Sequence, residues 1–169
     1  VPEPALVEFV RTLADALPER NILLQIKPKY AESEIGRRFL AECTRDMGNV
    51  FQSTDTVYEI LERVEYSFTD PGSIVVEAMS MGVRSFLVDV CSWHRTCFYR
   101  DYPEVVVNGG LEAAEKVRLI DSGALGYPWE EMKDVADLSG QHFVDRFKEV
   151  LRSDFPCNPQ QSDISQPAA

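Results

Sequence analysis

Apolar residues recur along the chain in two patterns, one with helical spacing and one with short unbroken runs. The clearest helical segment covers residues 3–17, where the apolar positions share one face: Leu6, Phe9, Val10, Leu13 and Leu17. Pro4 fits the first turn of such a helix, and Pro18 ends it. Helical spacing predicts further helices over residues 33–47, 74–81, 111–120 and 129–151, and a brief one that carries Val57, Ile60, Leu61 and Val64.

Short apolar runs between these helices have the length and composition of buried strands. They cover residues 21–27, 49–52, 65–69, 84–90 and 104–107. Cap residues stand where helices would begin or end: Ser33, Gly48, Gly82, and either Thr54 or Asp55 before the brief helix. Strands that alternate with helices predict a parallel sheet covered by helices on both faces, so we expect an α/β fold in a single domain.

The length of 169 residues suits one domain with a substantial core. We expect this domain to cover residues 1–152. Residues 153–169 combine three prolines with Gln, Ser and Asp, a composition that predicts disorder. The chain begins with Val1 rather than Met, which suggests that it was cut from a longer protein; a numbering convention is the alternative explanation.

The net charge of −11 argues against a broad nucleic-acid-binding surface. It leaves room for a small anion, which a few local donors can hold inside an acidic protein. No apolar run approaches the ~20 residues needed to span a bilayer, and no signal-peptide pattern is present. Four cysteines without a Cys-x-x-Cys pair and only two histidines predict reduced thiols in a cytoplasmic protein and no metal site.

The best place for chemistry is the segment from residue 67 to residue 82, where a strand runs through a Pro-Gly turn into a helix. Ligands of parallel sheets bind at the carboxyl ends of strands. Gly72 would let a ligand approach the backbone, and the amides of Ser73, Ile74 and Val75 would face an anion such as phosphate. The alternative is ordinary turn and N-cap chemistry at Ser73.

Two charged residues complete this candidate site. Glu77 follows Ser73 by one helical turn, so its carboxylate lies on the same side of the helix and could accept hydrogen bonds from a ribose diol. Lys27 closes the first strand and could pair with a phosphate. The alternatives are a solvated helix carboxylate at Glu77 and, for Lys27 and Lys29, a pair of solvated loop lysines.

These segments, taken in order, resemble the C-terminal domain of GT-B glycosyltransferases, especially those of bacterial surface-polysaccharide biosynthesis. The motifs are Gln-Ile-Lys-Pro at 25–28, Tyr-Glu-Ile-Leu at 58–61, Asp-Pro-Gly-Ser at 70–73, Glu-Ala-Met-Ser-Met-Gly at 77–82, and a strand that ends at Asp89. The resemblance covers about residues 3–89. It implies a Rossmann-like three-layer sandwich that binds a nucleotide-sugar.

The resemblance also implies a role for each matching residue. Gly72, Ser73 and Ile74 would hold the diphosphate, and Glu77 would bind the ribose hydroxyls. The loop from Phe51 to Ser53 would contact the base, and Lys27 would act in catalysis by neutralising the leaving nucleotide. Lys29 departs from the family, which often has His there, and Asp70 stands where retaining members have a second Glu. The stereochemistry therefore stays open.

The function predicted on this basis is that of the donor-binding half of a glycosyltransferase, inactive without its partner domain. The donor is a nucleotide-sugar with a pyrimidine base, and the acceptor is a glycan or a lipid-linked relative, which would place the parent enzyme beside a membrane. An N-terminal domain would bind the acceptor, and neither a cofactor nor a metal is expected. Two rivals remain: half of a nucleotide-sugar 2-epimerase, and a non-catalytic α/β scaffold module.

Overall fold

The computed structural model describes residues 4–70, 72–91 and 101–136, all within the first of two units into which the chain divides, Val1–Leu138. Their helices are α1 Pro4–Ala16, α2 Pro28–Ala31, α3 Glu34–Thr44, α4 Val57–Leu61, α5 Ile74–Ser80 and α6 Gly110–Asp121. Their strands are β1 Ile22–Leu24, β2 Val50–Gln52, β3 Tyr66–Thr69, β4 Arg84–Val88 and β5 Val106–Val107. In these ranges no helix combines the length and apolar character needed to cross a membrane.

Every strand pair in the described residues is parallel, which confirms the predicted α/β class. β1 pairs with β2, with Leu24 opposite Gln52. β4 lies between β3 and β5, with Thr69 opposite Leu87 and Val88 opposite Val107. The strands thus form a two-stranded and a three-stranded sheet, and no ladder hydrogen bonds join the two sheets within the described ranges.

Helix α1 packs against the cores of both sheets. Phe9 and Leu13 lie in the main core with β4, β5, α5 and α6. Ala14, one position after Leu13, lies instead in the core of the first sheet, together with Leu24 and Val50. One amphipathic helix therefore packs side chains into both cores, because successive residues of a helix point about 100° apart.

Polar contacts gather the amino-terminal ends of the strands on one side of the molecule. The side chain of Asn49, just before β2, donates at 3.1 Å to the carbonyls of Ala14, Leu17 and Arg20. The guanidinium of Arg20, just before β1, donates to Glu65 at 3.0 Å and to Asp121 at 2.6 Å. Since the amino ends of β1, β2 and β3 share this side, their carboxyl ends emerge together on the opposite side.

Helices α1 and α6 cross at a glycine. A Cβ atom at Gly110 would lie 2.5 Å from the carbonyl oxygen of Phe9 and 2.6 Å from the amide nitrogen of Leu13. Both are backbone atoms, which cannot rotate away as a side chain can. Gly110 is thus the residue that allows α6 to reach its position against α1.

The predicted elements are present with changed ends. The first strand stops at Leu24 rather than at residue 27, because Pro28 begins the short helix α2, which the apolar pattern did not predict. The brief helix is capped by Thr56, not by Thr54 or Asp55, since the Thr56 side chain forms a capping box with Glu59. The predicted strand over 104–107 becomes a 3₁₀ turn, Pro103–Val105, followed by the two residues of β5.

Helix ends show which capping predictions hold. Ser33 caps α3, with its side chain accepting from the Gly36 amide, as predicted. The left-handed residue after α3 is Asp46 with φ of 59°, so the prediction of Gly48 as the stop was wrong. Gly82 does end α5, with φ of 81°. Of the helix predicted over 129–151, the described part contains only a 3₁₀ turn, Glu131–Asp134, and the rest lies outside the described residues.

A buried tyrosine closes the main core. The hydroxyl of Tyr127 donates to the carbonyl of Ser85 at 2.5 Å and accepts from the Ser85 amide at 3.1 Å. Its ring meets the edge of Phe86 and the ring of Trp129. Burial raises the pKa of the Tyr127 phenol above its usual value.

The Gly110→Ala substitution is expected to lower the free energy of unfolding by about 2 kcal/mol, because the added methyl group must push α1 and α6 apart. Chemical denaturation of both proteins measures the difference. Gly48→Ala is the matched control, since a Cβ there meets nothing within 4 Å. Equal stability of the Gly110→Ala protein and the natural chain would contradict the close crossing.

The Tyr127→Phe substitution is expected to cost about 1–3 kcal/mol, because it leaves the buried amide and carbonyl of Ser85 without their partner. The natural chain should also lose stability as the pH rises above about 10, where tyrosine ionises in the unfolded state while the buried phenol stays neutral. Denaturation from pH 8 to 11 tests both effects. The Tyr127→Phe protein should show a smaller alkaline loss, and an identical slope would contradict the assignment.

Candidate functional site

The predicted strand–turn–helix segment is present and joins two parallel neighbours. β3 ends at Thr69, α5 begins at Ile74, and the chain returns to β4, which pairs with β3. The end of α5 is closed by two backbone bonds, from the Gly82 amide to Met79 and from the Val83 amide to Ala78, the pattern of a Schellman motif. The segment between β3 and α5 therefore follows the carboxyl end of β3.

Ser73 does not cap α5. It has helical dihedral angles, and its side chain makes no capping hydrogen bond, whereas the hydroxyls of Ser33 and Thr56 both accept from amides of their own helices. Ser73 is exposed. Within the described residues, the amides of Ser73, Ile74 and Val75 have no acceptor. The start of α5 thus presents the Ser73 hydroxyl to solvent, whereas Val75 is fully buried.

Glu77 lies on α5 one turn after Ser73 and is half-buried. Its Oε2 atom accepts a hydrogen bond of 2.6 Å from the hydroxyl of Tyr58 on α4. That bond and the negative charge of Glu77 raise the pKa of the Tyr58 phenol. The Glu77 carboxylate, for which a solvated state was the alternative prediction, therefore has a hydrogen-bond partner in the protein.

The hydrogen bond between Tyr58 and Glu77 was not predicted from the sequence. The motif that contains Tyr58 was noted, but its partner stands 19 positions away, on a different helix. An amphipathic interpretation of α4 could have placed Tyr58 beside the apolar positions Val57 and Leu61. It could not have shown which helix those positions face.

Helices α4 and α5 are held together by a small apolar core. Leu61, Ala78 and Val83 are buried in it, and Val57 and Ile74 pack against its edge. We call this core the α4–α5 seam. Tyr58 and Glu77 each stand one residue from a seam position, so packing brings the two polar side chains to the same flank.

Lys27 lies beyond the end of β1, in the capping position of α2. Its carbonyl accepts from the amides of Tyr30 at 2.8 Å and Ala31 at 2.9 Å. The side chain is exposed, and no ion pair within the described residues involves it. The strand's early end moves Lys27 away from the sheet, but it stays on the carboxyl-end side.

Phe51 and Ser53 lie at β2 rather than together in a loop. Phe51 stands inside the strand, opposite Leu23, and the exposed fractions of these two side chains are 46% and 38%. Ser53 follows the strand, donates its amide to the Leu24 carbonyl at 2.9 Å, and accepts from the Asp55 amide at 3.2 Å. The pairing of β1 with β2 extends to Gln52. Of the two residues, only Ser53 therefore lies beyond the carboxyl end of β2, as predicted.

The turn before α5 is exposed at Asp70 and Gly72. A Cβ at Gly72 would lie 3.9 Å from the Asp70 carbonyl oxygen, an ordinary contact, so the fold itself leaves space for a side chain there. The hydroxyl oxygen of Thr69, at the end of β3, is buried and has no hydrogen-bond partner among the described residues. Such an unsatisfied group is uncommon in native proteins.

The structure brings Ser73, Ile74 and Glu77 onto one helix and places Lys27 and Ser53 on the same side of the molecule. The side chains of the predicted residues form no hydrogen bond or ion pair with one another in the described ranges. A concavity of about 680 Å³ lies elsewhere, lined by Phe86, Lys116, Trp129 and neighbouring residues. It is open to solvent and sits toward the amino ends of the strands, where ligands of parallel sheets do not usually bind.

Other features noted in the sequence fall partly outside the described residues. Cys43 and Cys91 are both buried, and burial raises the pKa of the Cys43 thiol to about 11. Cys97, Cys157 and both histidines lie outside. Across residues 4–70, 72–91 and 101–136, no group of three or more potential metal ligands comes together.

No protein-family model, curated protein or solved structure matches the chain. The functional interpretation therefore depends on the residues themselves.

Proposed function

We propose that this chain is the nucleotide-sugar-binding half of a GT-B-type glycosyltransferase. The diphosphate would lie at the start of α5, and the ribose hydroxyls at Glu77. Catalysis would need a second domain to supply the acceptor and, in an inverting enzyme, the general base.

One observation carries the proposal: α5 presents donors and an acceptor one turn apart. At its start are the hydroxyl of Ser73, which makes no capping bond, and the amides of Ser73 and Ile74, which have no acceptor within the described residues. Side chains four positions apart on a helix lie about 5–6 Å from each other, so the Glu77 carboxylate stands close to these donors. Phosphate requires donors and a diol requires an acceptor, and a nucleoside diphosphate carries both groups.

The fold supports this position for a ligand. In open parallel sheets, binding sites occur beyond the carboxyl ends of the strands, and the β3–α5 turn lies there. Backbone donors suit an acidic chain, because they attract an anion without a basic surface. Lys27 and Ser53, which follow β1 and β2 in the other sheet, extend the same side of the molecule toward a longer ligand.

The Glu77→Gln substitution is expected to raise the Kd for the bound ribonucleotide about tenfold, because an amide accepts hydrogen bonds more weakly than a carboxylate. The measurement is an NMR titration of the labelled 169-residue chain with UDP, CDP, GDP, ADP and TDP. Saturable shifts at Gly72 to Glu77 should appear with one base.

The matched control is Glu115→Gln, which removes the charge of an exposed glutamate on α6. It should leave the affinity unchanged. Unaltered binding in the Glu77→Gln protein would contradict the ribose site. An absence of shifts with all five nucleotides would favour a scaffold module.

The Lys27→Ala substitution is expected to weaken binding of the diphosphate about threefold to tenfold at low salt, with a smaller effect at high salt, because an exposed charge is screened. Lys29→Ala, two positions further along the chain in α2, removes the same charge and should have little effect. Titrations at 20 mM and 500 mM NaCl separate the two variants. Equal losses for Lys27→Ala and Lys29→Ala would reduce the role of Lys27 to general charge.

A further inference from the structure

Resting on the proposed function, we infer that Tyr58 is a positioning residue: its hydroxyl orients the Glu77 carboxylate for the ribose hydroxyls and so favours ribonucleotides over deoxyribonucleotides. The observation behind this inference is the 2.6 Å bond from the Tyr58 hydroxyl to Glu77 Oε2. Among the described residues, Tyr58 is the one hydrogen-bond partner of the Glu77 side chain.

The geometry leaves the carboxylate able to bind a ligand. An ionised carboxylate has about four lone-pair positions, two on each oxygen. Tyr58 occupies one position on Oε2, so Oε1 and the second position of Oε2 remain for a diol. A diol donates two hydrogen bonds, which matches these remaining positions.

Tyr58 is held in place from two directions. Its helix is fixed to α5 by the α4–α5 seam, in which Leu61 and Ala78 are 4% and 0% exposed. The first turn of α4 is fixed by the capping box of Thr56 and Glu59, in which the Glu59 side chain accepts from the Thr56 amide at 2.8 Å. The phenol hydroxyl therefore has a defined position from which to direct a glutamate that would otherwise sample several rotamers.

A stability role alone explains this bond poorly. The Tyr58 side chain is 55% exposed, and a hydrogen bond between exposed groups exchanges with water at little net gain. Tyr58→Phe should accordingly leave the thermal midpoint nearly unchanged. An effect on binding would then reflect the orientation of Glu77 and not loss of the fold.

The test compares Tyr58→Phe with the natural chain, using UDP, CDP, GDP and ADP and the 2′-deoxy form of each as probes. We expect the Kd for the binding ribonucleotide to rise about threefold to tenfold and that for its deoxy form to change less than about twofold. In the Glu77→Gln background, Tyr58→Phe should add little, because the two residues act as a unit. Tyr30→Phe removes an exposed phenol from α2 and serves as the matched control.

The outcomes separate the two ideas. If Glu77→Gln weakens ribonucleotide binding and Tyr58→Phe does not, the positioning role is overturned and the proposed function stands. Equal losses for ribo and deoxy forms would also overturn it, since the effect would not pass through the ribose hydroxyls. If no nucleotide binds, or if Glu77→Gln binds normally, the proposed function fails and this inference with it.

Discussion

The packing of α1 between two cores holds the described chain together. No ladder hydrogen bonds join β1–β2 to β3–β5 in the described ranges, so the contact must come from elsewhere. α1 provides it through apolar residues that enter both cores. Its polar contacts add to this, since the Arg11 guanidinium donates to the carbonyls of Glu42 and Arg45 at the end of α3. The close approach at Gly110 then places α6 beside the same helix.

This arrangement decides where a ligand could bind. Asn49 and Arg20 draw the amino ends of three strands together, which leaves their carboxyl ends side by side on the opposite surface. Of the exposed residues of the candidate site, Lys27, Gly72 and Ser73 follow those carboxyl ends, whereas Phe51 lies within β2. Arg20 and Asn49 make their hydrogen bonds within the protein on the amino-end side, whereas the side chains of Ser73 and Lys27 have no partners in the described residues. Polar side chains that have no partners in the described residues are suited to binding a ligand, because no hydrogen bond within the protein has to break first.

The proposed site combines a locally encoded part with one assembled at long range. Ser73 and Glu77 lie one turn apart on α5, and that relation follows from helical geometry once the segment is known to be helical. The pairing of Glu77 with Tyr58 depends on the α4–α5 seam, which joins two helices across an intervening strand. Both parts act on the same carboxylate, that of Glu77.

Much of the fold was predictable from short-range pattern, because a spacing of 3.6 residues reflects helix geometry and short unbroken apolar runs have the length of buried strands. The sequence by itself determined the α/β class, the order of the main helices and strands, the cap at Ser33 and the stop at Gly82. The tertiary structure alone decided the division of the strands into two sheets and the place of Phe51 within a strand. It also decided that Ser73 does not cap α5 and that Tyr58 donates a hydrogen bond to Glu77. Local pattern shows which face of an element is apolar, but the partner of that face is selected by packing among residues far apart in the chain.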